Sequence, residues 1–360
     1  MAPKLKDQFN QAWLAGWLNR LHDTFPKIDK QKADQCLQMS ELIDQSLLAR
    51  IQTISQISIN LLGSFYKSEQ IAQGLVDLAP DFEGLQGLVL TQMVTDLGLA
   101  DAGLAFRVLG GLTQYSSAEF AIRDWIEREP QLTMNQMQAW SHSENHHLRR
   151  LASEGCRPRL PWGKALNQFK QDPTPILPIL QNLIHDPSLY VRKSVANNLN
   201  DIGKDHPEVL LTFCQAWLGS SKEADWIIKH AIRNFLKQRD ARFLALLSLP
   251  KTEHIDLVNW HSDAQVKLGE ALHYAFELQA DKTLGRLRIE LQVDYPRPSG
   301  APLRKVFKLA EADYAVAYKK ISKHLSFKPL STRVYYPGQH TLQLVLNGEI
   351  KHQAWFEVVA

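Results

Sequence analysis

The 360 residues, 44% hydrophobic and 22% charged, are enough for two domains with sizeable cores and exclude a disordered chain. No apolar run is long enough to span a bilayer, and the charged start MAPKLKDQFNQAW lacks the apolar stretch of a secretory signal. The net charge of +3 conceals an asymmetry: residues 1–140 hold 11 Lys+Arg against 16 Asp+Glu, residues 141–250 hold 15 against 10, and residues 261–360 hold 14 against 10.

A mildly acidic front joined to two basic segments points to a polyanion partner for the rear of the chain. Cys36, Cys156 and Cys214 lie far apart and form no CxxC pair. Neither a disulfide framework nor a thiolate zinc site is expected, and a reducing cytoplasm fits.

From about Asp34 to Leu247 apolar residues recur at steps of three and four, as in Leu47, Ile51, Ile54, Ile57 and Leu61. Pro80, Gly110–Gly111, Pro130, Pro173 and Pro207 fall between such segments, so many helices with short connections are expected. In SHSENHH, His142 and His146 are four apart, but no HExxH or cysteine joins them. A solvated helix start is the better account, and no metal is expected. Glycine-rich phosphate loops and a serine nucleophile elbow are absent.

Four helices share a pattern. EFAIRDWI (119–126), RRLASEG (149–155), RKSVANNLND (192–201) and KHAIRNFL (229–236) align on Ala121, Ala152, Val195 and Ala231, separated by 31, 43 and 36 residues. Irregular periods of roughly 40 residues, two helices each, predict HEAT-like repeats stacked into an α-solenoid with a concave surface, spanning residues 1–260. Two positions before the small residue stand Glu119, Arg150, Lys193 and Lys229; two after it stand Arg123, Glu154, Asn197 and Arg233. Members of each pair are four apart and share a helix face, which predicts a polar ladder, mainly basic, along the concave surface. Asp201, four beyond Asn197, extends the third rung.

After Leu247 the texture changes. GRLRIELQVDYP, RKVFKLA, HTLQLVLNG and HQAWFEVVA alternate apolar and polar residues, and Pro337-Gly338 and Asn347-Gly348 are turn dipeptides. Residues 265–360 are therefore expected to form an immunoglobulin-like β-sandwich. Lys319, Lys320, Lys323, His324, Lys328 and Arg333 make a basic stripe mixed with Phe327, Tyr335 and Tyr336.

At SSAEFAIR, LRRLASEGCRPRLPW, YVRKSVANNLNDIGKDHP and WIIKHAIRNFLK, from about 110 to 245, the chain resembles the AlkC family of alkylation-repair DNA glycosylases. KVFKLAE, HLSFKPLSTRVYYPGQH and LVLNG resemble the Ig-like domain of one branch of that family. The resemblance implies a base-excision repair enzyme that removes cationic N-alkylated bases, such as 3-methyladenine and 3-methylcytosine, from double-stranded DNA. It implies no metal or other cofactor, a concave HEAT-like groove for DNA, and no pocket for the base. The family's carboxylate cluster maps onto Glu119, Glu154 and Asp201, and its DNA contacts onto Arg150, Arg157 and Trp162, with Lys193 and Asn198. Arg149, Arg159, Asn197, Lys229 and Arg233 supply further polar and cationic candidates along the same ladder. A monofunctional, monomeric, cytoplasmic enzyme associated with the nucleoid is expected. The competing reading is a non-catalytic HEAT-repeat protein that binds damaged DNA or a protein partner; it has no need of the three carboxylates.

Overall fold

The computed structural model describes residues 4–36, 42–63, 65–98, 101–329 and 334–360. Among these the chain divides into two compact units, Met1–Ala231 and Ile232–Ala360.

The first unit is helical. Its helices are α1 (Gln11–Thr24), α2 (Lys30–Cys36), α3 (Leu47–Leu62), α4 (Ser68–Leu78), α5 (Leu88–Asp96), α6 (Ala102–Leu112), α7 (Glu119–Arg128), α8 (Pro130–Ser141), α9 (His146–Gly155), α10 (Asn167–Gln171), α11 (Leu177–Asn182), α12 (Leu189–Asp205), α13 (Pro207–Trp217) and α14 (Lys222–Ala231). The boundaries follow local chemistry. Ser46, Asp101 and Asn145 cap α3, α6 and α9 by accepting from backbone amides one turn ahead. Pro130 and Pro207 open α8 and α13, where their missing N–H is harmless, and force the chain to turn directly out of the preceding helix.

Packing sorts these helices into two layers. One row runs α3, α5, α7, α9, α12, α14, each packed on the next; α4 and α6 pack behind it, as do α8 against α7 and α9 and α13 against α12 and α14. This is the HEAT-like stacking of helix pairs, in which each pair buries its apolar face only against neighbours. The first pairs are held by aromatic side chains: Trp17 is wholly buried, with Trp13 stacked on it at 5.6 Å and Phe82 edge-on at 4.9 Å. Further along, a Cβ at Gly155 would lie 2.6 Å from Ile122 Cγ2, so the glycine of LASEG lets α9 close on α7.

The second unit opens with α15 (Arg233–Gln238) and α16 (Ala241–Leu246) and continues as an immunoglobulin-like sandwich. Its strands are β1 (Ile255–Ser262), β2 (Gln265–Lys267), β3 (Ala271–Ala280), β4 (Gly285–Tyr295), β5 (Leu303–Tyr314), β6 (Tyr318–Ser326), β7 (Gly338–Leu346) and β8 (Glu349–Val359). A sheet ordered β1-β3-β6 faces one ordered β2-β8-β7-β4-β5, and Leu272, Phe276 and Leu278 meet Leu287, Ile289, Leu291, Leu344 and Phe356 between them. Asn347 and Gly348 both take positive φ, 48° and 89°, in the tight β7–β8 turn that the Asn-Gly dipeptide predicts. The strand β1 begins ahead of the expected start at residue 265. Asn259 at φ 51° and a register shift between Val258 and His261 break the alternation that would have revealed it. Arg333, counted in the basic stripe, lies outside the described residues.

Candidate active site

Row helices α7, α9 and α12 bring the three carboxylates of the sequence pattern into one chain of ion pairs. Glu119, the first residue of α7, accepts both Nη1 and Nη2 of Arg150 at 2.8 Å. Arg150 Nη2 also stands 4.0 Å from Glu154 Oε1, one turn on along α9. Glu154 Oε1 accepts from Arg157 Nη1 at 2.6 Å, and Arg157 donates through Nε at 2.9 Å to Asp201 Oδ2 on α12, with Nη2 in ion-pair contact with the same oxygen at 2.9 Å. Lys204, one turn beyond Asp201, closes the chain on Oδ1 at 2.8 Å. Carboxylate and cation alternate, and the three acids are 4%, 7% and 2% exposed.

Such burial is unfavourable unless each charge is compensated, and here each is. Burial pulls the Arg157 guanidinium down, but Glu154 and Asp201 together outweigh it and hold it above its ordinary value; Glu119 and Glu154 do the same for Arg150. The Arg150 guanidinium also lies over the Tyr190 ring, 5.2 Å from its centroid. Below these pairs, Ser194 Oγ contacts Glu154 Oε2 at 2.6 Å and Ser153 Oγ at 3.0 Å, and Asn198 Nδ2 donates to Ser153 O at 2.8 Å.

The loop from α9 to α10 is set by a second device. Arg123 on α7 is wholly buried and donates only to backbone carbonyls: Gly155 at 3.0 Å and Arg157 at 2.8 Å through Nη1, and Lys164 at 2.9 Å through Nε. Burial lowers its pKa to about 10. One guanidinium thus ties both ends of the loop. At its tip Trp162 is 61% exposed with φ 65°, a left-handed conformation that a bulky residue rarely adopts. Trp162 and Lys164 border a groove of about 330 Å³ shared with Gln52, Thr91, Phe120 and Asp124. The larger groove of about 630 Å³, between Pro130 and Pro178, holds none of the candidate residues.

The remaining candidates divide by environment. Lys193, with Lys229 one helix further along the row, is exposed, and Asn197 is half-buried. Arg149 turns away to Asp186, at 2.6 Å through Nε, and to the carbonyls of Ser143 and Glu144. Arg159 forms a two-pronged pair with Asp205, whose carboxyl it holds below the usual range. Arg233 belongs to the second unit and is half-buried.

Two expectations are corrected. Arg123 does not stand on a polar face, because its four-residue spacing from Glu119 puts it against the α9–α10 loop, and Asn198, expected on DNA, is fully buried between α12 and α9. Ser194, Ser153 and Tyr190 were missed; Ser194, Asn198 and Asp201 follow at four and three residues, a stripe readable as one face of α12. Cys156, buried, contacts Ala152 O at 3.2 Å, and burial pushes its thiol up to about 12. Of the histidines, His142 Nε2 meets Asn182 Nδ2 at 2.8 Å, and the rings of His146 and His147 lie tilted against each other, 4.1 Å between centroids, at the start of α9.

Residues 113–235 match the family model described as DNA alkylation repair enzyme, and residues 258–360 match the C-terminal Ig-like domain of the uncharacterised protein YhaZ. The chain is similar to YhaZ of Bacillus subtilis (strain 168), described as uncharacterized, at 37% identity over 98% of this chain and 99% of that one. It is also similar to the alkylpurine DNA glycosylase AlkC of Pseudomonas fluorescens, solved bound to DNA containing an abasic site analogue. That match has 34% identity and a TM-score of 0.90, covering 99% of this chain and 100% of the other.

Proposed function

The chain belongs to the AlkC family of DNA alkylation repair enzymes, and on that premise we propose that it is a monofunctional glycosylase for cationic N-alkylated bases such as 3-methyladenine and 3-methylcytosine in double-stranded DNA. The observation that carries this reading is the chain of three buried carboxylates joined by Arg150 and Arg157, with an exposed tryptophan on the loop that also carries Arg157.

A base alkylated at N3 is positively charged and leaves as a neutral molecule. The electron pair of the C1′–N bond goes to the base nitrogen, and no acid is needed to protonate it. The barrier lies in the sugar, which gains positive charge at C1′ as the bond stretches. An ionised carboxylate held close by stabilises that charge, with the signs of an oxyanion hole reversed. At an effective dielectric of about 20, one carboxylate roughly 4 Å away contributes on the order of 4 kcal/mol, or about a thousandfold in rate. A water then adds to C1′ and gives up a proton to a carboxylate and on to solvent.

That modest factor suits a bond already weakened by alkylation and leaves ordinary bases uncut, so selectivity follows from lesion lability without a recognition pocket. Arg150 and Arg157 offset the negative charge of the acids, and the exposed Lys193 and Lys229 supply positive charge for phosphates, so affinity should fall steeply with salt. Trp162 supports the reading from another side, since a ring held outward in a strained backbone meets a nucleotide without moving.

Incubation with dimethyl-sulfate-treated duplex DNA tests this function. The reading expects free 3-methyladenine and intact strands until alkali is added. No freed base would leave a damage-binding protein, and breaks without alkali would indicate a lyase acting through Lys193.

A further inference from the structure

The three carboxylates are not equivalent, and the difference lies in the partners their oxygens hold. An ionised carboxylate has about four acceptor sites. Glu119 spends both oxygens on the fork of one arginine. Asp201 accepts Nε of Arg157 on one oxygen and the Lys204 ammonium on the other. Glu154 accepts one guanidinium N–H on Oε1 and one hydroxyl on Oε2. Arg150, at 4.0 Å, is beyond hydrogen-bond reach. Each acid thus accepts two such bonds, but of the three only Glu154 has an oxygen, Oε2, whose partner is a neutral hydroxyl and not a cation, and it sits at the centre of the chain between both arginines.

Its Oε2 partner is a hydroxyl with a single proton. The Ser194 Oγ–Glu154 Oε2 distance of 2.6 Å is that of a charge-assisted O–H···O⁻ bond, so Ser194 donates to the carboxylate. The 3.0 Å contact between Ser194 and Ser153 then requires Ser153 to donate to Ser194. The direction of the relay is fixed, from Ser153 to Ser194 to Glu154. Both serines are buried, at 0% and 3% exposure, and they come from the two helices, α9 and α12, that also carry Glu154 and Asp201. Asn198 holds the carbonyl of Ser153 in turn.

We infer that Ser194, backed by Ser153, is the positioning residue that turns Glu154 so that Oε2 receives the attacking water. This rests on the glycosylase reading above. It assigns water activation to Glu154 and leaves Glu119 and Asp201 as fixed negative charge. Neither serine touches DNA or the reacting atoms; both act through Glu154.

The test measures single-turnover excision of 3-methyladenine by the full chain carrying Ser194→Ala, Ser153→Ala, Glu154→Gln and the double variant Ser194→Ala/Glu154→Gln, alongside affinity for duplex DNA containing an abasic-site analogue. Loss of a hydrogen bond to a charged acceptor predicts a rate about ten- to a hundredfold lower for Ser194→Ala. Ser153→Ala, one step removed, should lose about two- to fivefold. Affinity should stay within about twofold in both. Glu154→Gln should lose more than either, and the double variant should be no slower than Glu154→Gln alone, because the serine has nothing left to position.

An undiminished rate in Ser194→Ala, a larger loss in Ser153→Ala than in Ser194→Ala, or a rate loss matched by lost affinity would overturn the relay while leaving the glycosylase reading intact. So would a further fall in the double variant. If Glu154→Gln has too little activity to compare, the order of the two serine variants decides. An undiminished Glu154→Gln rate sinks the catalytic reading itself, and with it the relay.

Discussion

The first helices of the solenoid and those from α7 to α12 are stacked alike, yet they bury different chemistry. In the first group the interior is apolar and aromatic around Trp17, and the one buried charge among its described residues, Arg50, donates to the carbonyls of Lys6, Phe9 and Ile43. In the second, Glu119, Arg123, Glu154, Arg157, Asp186 and Asp201 are all buried. Buried ion pairs give little net stability, and apolar residues of similar volume often do as well or better. A repeat scaffold that packs well without charge in one half has no structural need for it in the other. On the glycosylase reading, the difference teaches that the carboxylate chain is kept for chemistry, whereas Arg50 and Arg123 each act as a clasp on backbone carbonyls.

Breaking that comparison is possible from several directions. The largest effect should come from the acids: Asp201→Asn should slow excision by about a hundred- to a thousandfold, with the thermal midpoint changed by only a few degrees, read by single-turnover kinetics and calorimetry. Next come the clasps. Arg123→Met leaves three carbonyls of the α9–α10 loop without their donor and should lose about 3–5 kcal/mol in denaturant unfolding. Arg50→Met should lose a comparable amount, but excision per folded molecule should fall only in Arg123→Met. Equal activity losses in the two would erase the distinction between the halves.

Trp162→Gly should slow excision or weaken DNA binding several-fold while stability stays level or rises by about 1 kcal/mol, because glycine adopts φ 65° without strain. The smallest effect is on pH. Burial lowers the pKa of His340 and His352 in the sandwich and of His147 at the start of α9. Their folded pKa lies below the unfolded 6.5, so the unfolded chain binds more protons in that window, and stability should decline as pH falls below about 6.5. His340→Phe should flatten the decline, measured as thermal midpoint against pH.

Much of this was legible in the sequence, for identifiable reasons. Helices and strands follow from periodicity, and Glu119, Glu154 and Asp201 from motifs long enough to carry a family resemblance. The partners of those acids were not legible. That Arg150 reaches Glu119 across 31 residues, or Arg157 reaches Asp201 across 44, depends on how neighbouring helices are offset, which no spacing within a helix encodes. Arg123 misled for the same reason: four residues from Glu119 it shares that helix side, but the α9–α10 loop folds over it. Ser194 and Ser153 were overlooked because a serine in a helix is seldom diagnostic until its hydroxyl is seen on a carboxylate.

The most direct measurement compares Glu154→Gln with wild type in two readouts on one duplex: affinity for an abasic-site analogue and the single-turnover rate of 3-methyladenine release. If a buried negative charge beside C1′ supplies the catalysis, affinity persists within about threefold while the rate falls at least a hundredfold. Release at the wild-type rate by a variant that binds normally would contradict it.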